Sequence, residues 1–97
     1  MNELTELQQA ARIAFASEFS FYLKAHEFHW NVTGVHFQQF HALFETIYTE
    51  VYGVIDDFAE KLRALDCFAP GSLSKLSVLT RIEDQTEVAY AIPARSE

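Results

Sequence analysis

Residues 37–65 step their apolar side chains by three or four without a break: Phe37, Phe40, Phe44, Ile47, Tyr48, Val51, Ile55, Phe58, Leu62 and Leu65. A strand would alternate by two, so this spacing commits the segment to one long amphipathic helix. Upstream, apolar residues cover most of a helical circumference, from Leu4 and Leu7 through Phe15, Phe19 and Phe21 to Phe28 and Trp30. Only a narrow polar strip near Ser17, Ser20, Lys24 and Glu27 is left. A helix apolar over so wide an arc is buried on more than one side. Between the two lies "NVTG" (31–34), where Asn31 and Gly34 are turn formers. Two helices of roughly 30 residues joined by a tight turn make an antiparallel hairpin, each arm about 40 Å long.

The expected organisation is a single all-α domain over residues 1–97. It has a helix over about 3–30, a second over about 35–65, a short third over about 72–79 and an extended tail over 80–97. Asn2 or Thr5 can cap the first helix, and "TELQ" has capping-box form. Pro70 and Gly71 end the second helix, Ser72 caps the third, and "PARSE" at 93–97 reads as the start of another. A two-helix hairpin exposes about as much apolar surface as it buries, so self-association is the default expectation.

Several functions are disfavoured at once. The formal charge is −7, and the seven Lys and Arg are scattered, with none in the first ten residues. Phosphate binding needs clustered cations, so direct DNA binding is not expected from this end of the chain. No apolar run is long enough to span a bilayer. The start "MNELTELQQA" has no basic n-region or apolar h-region, and the one cysteine, Cys67, has no disulfide partner in the chain. The expected compartment is the cytoplasm.

The second helix carries a polar band beside its core stripe. On a helical wheel His41, Tyr52, Glu45, Asp56 and Glu60 follow one another in that order within little more than a quarter of the circumference, by the 3.6-residue repeat. The core stripe lies on the His41 side of that band, and Asp57, Glu50 and Lys61 fall on the far side of the helix. Axial distance restricts what the band can do. His41 and Asp56 are fifteen residues apart, about 22 Å along the axis, whereas metal–ligand bonds are about 2 Å. One helix cannot bring them to one ion. Two copies packed antiparallel across a two-fold axis can, with His41 and Glu45 of one meeting Asp56 and Glu60 of the other at two equivalent sites. His29, near the end of the first helix, lies close to the end of the hairpin that carries His41. Two imidazoles and several carboxylates without a thiolate suit iron better than a structural zinc cluster, with manganese, zinc and cobalt as alternatives. The other candidates have plainer readings: His26 as structural, His36 as exposed or a cap, Trp30 as a core aromatic, and Cys67 as inert.

"HEFHWNVTGVHFQQFHALFE" followed by "VIDDFAEKLRAL" and "APGSL" resembles the Dps family, the miniferritins that protect DNA during starvation. The matching elements are the "HWN-x-x-G" turn, a histidine twelve residues after the first, and "D-x-x-x-E" fifteen residues later. The resemblance runs from about residue 4 to residue 97. It implies a ferritin-like four-helix bundle, usually assembled as a hollow dodecamer, with an iron-oxidising centre shared across a two-fold interface. Carried over by position, His29, His41 and Glu45 would come from one chain and Asp56 and Glu60 from its partner. Trp30 would lie beside that centre. Hydrogen peroxide is the oxidant the resemblance implies. The "E-x-x-H" of other di-iron bundles is absent, which disfavours a site within one subunit.

Three departures qualify that resemblance. The family position matching Glu45 is often Asp. The lysine-rich arm that many members use on DNA is missing from the N-terminus, and the two further long helices of the family fall beyond the last residue. The expected activity is therefore ferroxidase-type iron oxidation and storage by a homo-oligomer. The rival is a truncated miniferritin-like assembly module with vestigial iron chemistry.

Overall fold

The computed structural model describes residues 4–84, 86, 90 and 91. Asn2 as a cap, most of the tail and the helix start read at 93–97 lie outside the described residues. Helix α1 spans Glu6–Asn31, strand β1 Val32–Thr33, helix α2 Phe37–Ala64, helix α3 Leu73–Leu79 and strand β2 Tyr90–Ala91. The molecule is a rod of 54 × 23 × 23 Å, the shape that a hairpin of two long helices dictates.

Each helix end follows from local chemistry. At the start of α1, the Thr5 hydroxyl accepts from the Gln8 N–H (3.1 Å) and the Gln8 side chain accepts from the Thr5 N–H (2.9 Å). That reciprocal box satisfies two donors a helix start otherwise leaves unpaired. Helix α1 ends where Asn31 Nδ2 donates back to the Glu27 carbonyl (3.0 Å), and Gly34 then takes φ 111° to reverse the chain. Helix α2 ends in a Schellman turn: the Cys67 N–H bonds the Leu62 carbonyl (3.0 Å) and the Asp66 N–H bonds the Arg63 carbonyl (3.0 Å). The turn requires a left-handed residue, and Asp66 sits there at φ 64°. Asp66→Gly should raise thermal stability by several tenths of a kcal/mol. Asp66→Val should lower it by about 1–2 kcal/mol, because a β-branched side chain clashes at positive φ. Calorimetric melting of the two variants checks both signs.

The main core fills the open end of the hairpin. Phe15, Ala16, Leu62, Cys67, Leu76 and Leu79 are buried together, with Phe19, Ile55 and Phe58 packed against them. Phe15 meets Phe58 edge-to-face at 5.7 Å, which sets the antiparallel register of α1 against α2. Ser72 caps α3 by accepting from the Lys75 N–H (3.2 Å). At the turn end, Val32 is buried, and the chain returns there: β1 pairs in parallel with β2, Val32 opposite Tyr90 and Thr33 opposite Ala91.

Large apolar side chains remain in water. Leu7, Leu23, Trp30, Leu43, Tyr52 and Val54 are each between 47% and 66% exposed. Trp30 is therefore not the core aromatic its place on the apolar arc predicts. That arc is wider than one partner helix can cover, and Trp30 lies on the uncovered part with one face leaning on the His26 ring (5.1 Å).

Candidate metal centre

The hairpin brings His29 and His41 together. Their rings stack at 3.7 Å with 21° between planes, His29 buried and His41 half-buried. Each anchors the other's backbone: His29 Nδ1 lies 2.7 Å from the His41 carbonyl, and His41 Nδ1 lies 2.8 Å from the His29 carbonyl. A carbonyl can only accept, so each Nδ1 carries the proton. In the neutral rings, both Nε2 atoms are then left with a free lone pair. An imidazole pinned through Nδ1 with Nε2 available is prepared for a metal. The local cause is the turn. The last carbonyls of α1 have no helical partner, and His41, one turn into α2, arrives opposite one of them.

Tyr48 braces the pair. It meets His29 edge-on at 5.1 Å and stacks on His26 at 3.7 Å. His26 Nδ1 is buried without a hydrogen-bond partner among the described residues. Burial, and secondarily the charge of His29, pulls the His26 pKa below its usual value. His26 is thus the structural residue its spacing implies, held among aromatic rings.

The carboxylates stand apart. Among the described residues, Asp56, Asp57 and Glu60 form a group whose oxygens all lie within 4.8 Å of one another. All three are exposed, as is Glu45. Asp57, on the exposed far side of the helix, still reaches this group. Glu60 lies between Asp56 and Asp57 on the wheel, and residues three and four apart are neighbours. The i, i+3 spacing was the missed signal.

Crowding of negative charge has a consequence at Glu60. Its pKa is raised, first by the charge of Asp56, then by a hydrogen bond with Asp56, with Asp57 adding to the effect. A proton held this way competes with a cation, because the cation needs the ionised carboxylates. Cation affinity should therefore fall as pH drops through a value above the ordinary 4.5 for glutamate. A carboxyl-carbon NMR titration should place Glu60 above that value, and Asp56→Ala should bring it down. A midpoint unmoved by Asp56→Ala would contradict the charge-crowding account.

Within one chain the histidine pair and the carboxylates do not meet. The register that puts His29 on His41 leaves Asp56 about 22 Å further along α2. One chain therefore holds two separate groups: a nitrogen pair at the turn and an oxygen cluster four turns away.

This chain matches the ferritin-like domain family over residues 9–93. The DNA protection during starvation protein of Helicobacter pylori is 35% identical to it over 69 residues, covering 71% of this chain and 48% of that one. Antigen TpF1 of Treponema pallidum is 38% identical over 71 residues, or 73% of this chain and 40% of that one. The crystal structure of a Dps protein from Vibrio cholerae O1, described as a member of a broad superfamily of ferritin-like diiron-carboxylate proteins, superposes with a TM-score of 0.80. The two are 31% identical, over 87% of this chain and 53% of that one. The chain belongs to the ferritin-like family, on its Dps branch.

The fold is accordingly all-α and ferritin-like, as the sequence resemblance implies. The Dps branch consists of iron-storage miniferritins. The chain spans about half the length of the relatives it matches. No helix among the described residues is long and apolar enough to cross a membrane.

Proposed function

We propose that two copies of this Dps-branch chain bind Fe(II) between them and oxidise it, with hydrogen peroxide as the oxidant. His29, His41 and Glu45 of one copy and Asp56 and Glu60 of the other are the ligands. The reading is carried by the reciprocal Nδ1–carbonyl bonds of His29 and His41, which leave two Nε2 atoms free. Among the described residues of the same chain, no carboxylate cluster comes within reach of them. An antiparallel partner supplies the missing oxygens, and the two-fold axis makes a second, equivalent site.

The donor set fits the chemistry. Neutral imidazoles hold Fe(II), and anionic oxygens favour the higher charge of Fe(III). Asp57 joins the oxygen cluster as a candidate further ligand or as the charge that tunes Glu60. Removing ferrous ion and peroxide together suppresses hydroxyl-radical formation, and the ferric product is stored where the assembly encloses a cavity. The working compartment in this reading is the cytoplasm, and the assembly is a homo-oligomer built from the two-fold dimer, a dodecamer in the family's usual form. Direct DNA binding is not expected of this stretch of chain, which is acidic with a net charge of −7.

Anaerobic titration with Fe(II), followed by peroxide, tests the proposal. Saturable binding and rapid oxidation at a fixed iron-to-chain ratio are expected. Oxidation no faster than in protein-free buffer would refute it.

A further inference from the structure

The polar strip of α1 is a track for another part of the chain. Ser17, Ser20, Lys24 and Glu27 follow one another by three, four and three residues, so they share one face of the helix. The segment that leaves α3 runs along that face toward the turn. The Arg81 N–H donates to the Ser17 hydroxyl (2.9 Å), and Lys24 Nζ donates to the Glu83 carbonyl (2.9 Å). The segment is stiffened from within, because the Ile82 N–H donates to the Thr80 hydroxyl (3.0 Å) and the Arg81 guanidinium donates to the Leu79 carbonyl (3.1 Å). Apolar packing does little to hold it down. A cavity of about 420 Å³ lies between the segment, α1 and α3, with Phe19, Leu23, Leu76 and Ile82 in its lining. The polar anchors therefore carry the docking. Among the described residues lining that cavity, Lys24 is the one cation, beside the acids Glu27, Glu83 and Asp84. Without its charge, the segment would bring two carboxylates to a strip that already holds one.

Beyond this segment the chain arrives at the histidine pair. Strand β2 lies on β1, Val32 opposite Tyr90 and Thr33 opposite Ala91. Strand β1 begins three residues after His29 and belongs to the turn that carries the chain to His41. A two-stranded pair this short is marginal by itself. It persists where a nearby anchor shortens the loop that must close. The His29 carbonyl that accepts from His41 Nδ1 is among the last of α1, and its aim depends on how the backbone leaves the helix. We infer that Lys24 and Ser17 are positioning residues for the metal pair: by docking segment 80–84 on α1 they keep β2 on β1, and so keep His41 stacked on His29. Lys24 is no ligand itself, since five residues place it about 140° around α1 from His29. The consequence for Fe(II) rests on the iron reading given above, whereas the docking needs no metal.

Metal-free protein tests the docking first. Lys24→Met keeps most of the side chain and removes its charge. Losing a hydrogen bond from a charged donor should make the Arg81 amide exchange with solvent about 10-fold faster. The Nδ1 protons of His29 and His41, followed by nitrogen-15 NMR, should exchange faster too, with the helices intact by circular dichroism. Lys24→Arg should restore both rates. Ser17→Ala removes the other anchor and should act in the same direction, and it carries the test if Lys24→Met does not fold. Iron supplies the second arm, because coupling between two places is mutual. Anaerobic Fe(II) should bind Lys24→Met about fivefold more weakly, and Fe(II) bound to the wild type should slow exchange over residues 81–84 about fivefold, the low end of such couplings. Imidazole protons unmoved in a Lys24→Met protein whose Arg81 amide exchanges faster would overturn the inference. So would weakened Fe(II) binding with the Arg81 rate unchanged. If the wild type binds no Fe(II), the iron reading fails, and the metal-free imidazole rates alone decide on the docking.

Discussion

His41→Ala is expected to reduce peroxide-driven Fe(II) oxidation by at least about 100-fold, since loss of even an outer partner of a metal site costs 10- to 100-fold. The structure makes this a clean experiment. His29 donates to the backbone carbonyl of residue 41, which alanine retains, so the His29 tautomer survives the substitution. The same holds in reverse for His29→Ala, because His41 donates to a backbone carbonyl as well. Each single variant thus removes one proposed nitrogen ligand and a stacking partner while the other imidazole keeps its orienting bond. Stopped-flow oxidation assays and Fe(II) titrations read the two losses separately. Wild-type rates in His41→Ala would place the chemistry elsewhere.

Leu62→Ala is expected to destabilise the fold by about 3 kcal/mol, within the range for a fully buried leucine cut back to alanine. Leu62 is 0% exposed at the junction of α1, α2 and α3, among Phe15, Ala16, Cys67, Leu76 and Leu79. Its carbonyl also accepts the Cys67 N–H that closes the α2 end, so relaxation into the cavity is opposed by that turn. The His29–His41 pair lies at the other end of the rod, so its ring stacking at low temperature should survive, whereas Glu60 stands two residues from Leu62. Denaturant unfolding with histidine NMR shifts followed in parallel distinguishes the two ends. A loss under about 1 kcal/mol would mean that the core collapses around the gap.

Much of this was legible in the residues because it depends on short-range periodicity. The capping box at Thr5 and Gln8, the apolar steps of α2 and the Ser72 cap each need only neighbours three or four residues away. The meeting of His29 and His41 was readable too, since a tight turn leaves two helix ends little choice but proximity. What escaped depends on partners that the wheel does not contain. Trp30 sits on an apolar arc, yet its exposure is set by how much of that arc one neighbouring helix covers. Asp57 looked remote because the wheel was referred to His41 and not to Glu60, three residues further on. The reciprocal Nδ1 bonds, which fix the tautomers, join a side chain to a backbone carbonyl twelve residues away and leave no mark in the spacing.

The central claim is that each iron site draws nitrogen from one chain and oxygen from another. Mixing His29→Ala/His41→Ala chains with Asp56→Ala/Glu60→Ala chains, neither active alone, tests it directly. Random exchange makes half of the dimers mixed, each with one intact site of two, so about one quarter of wild-type ferroxidase activity should return. No recovery in a preparation shown by mass spectrometry to contain mixed dimers would contradict the shared site.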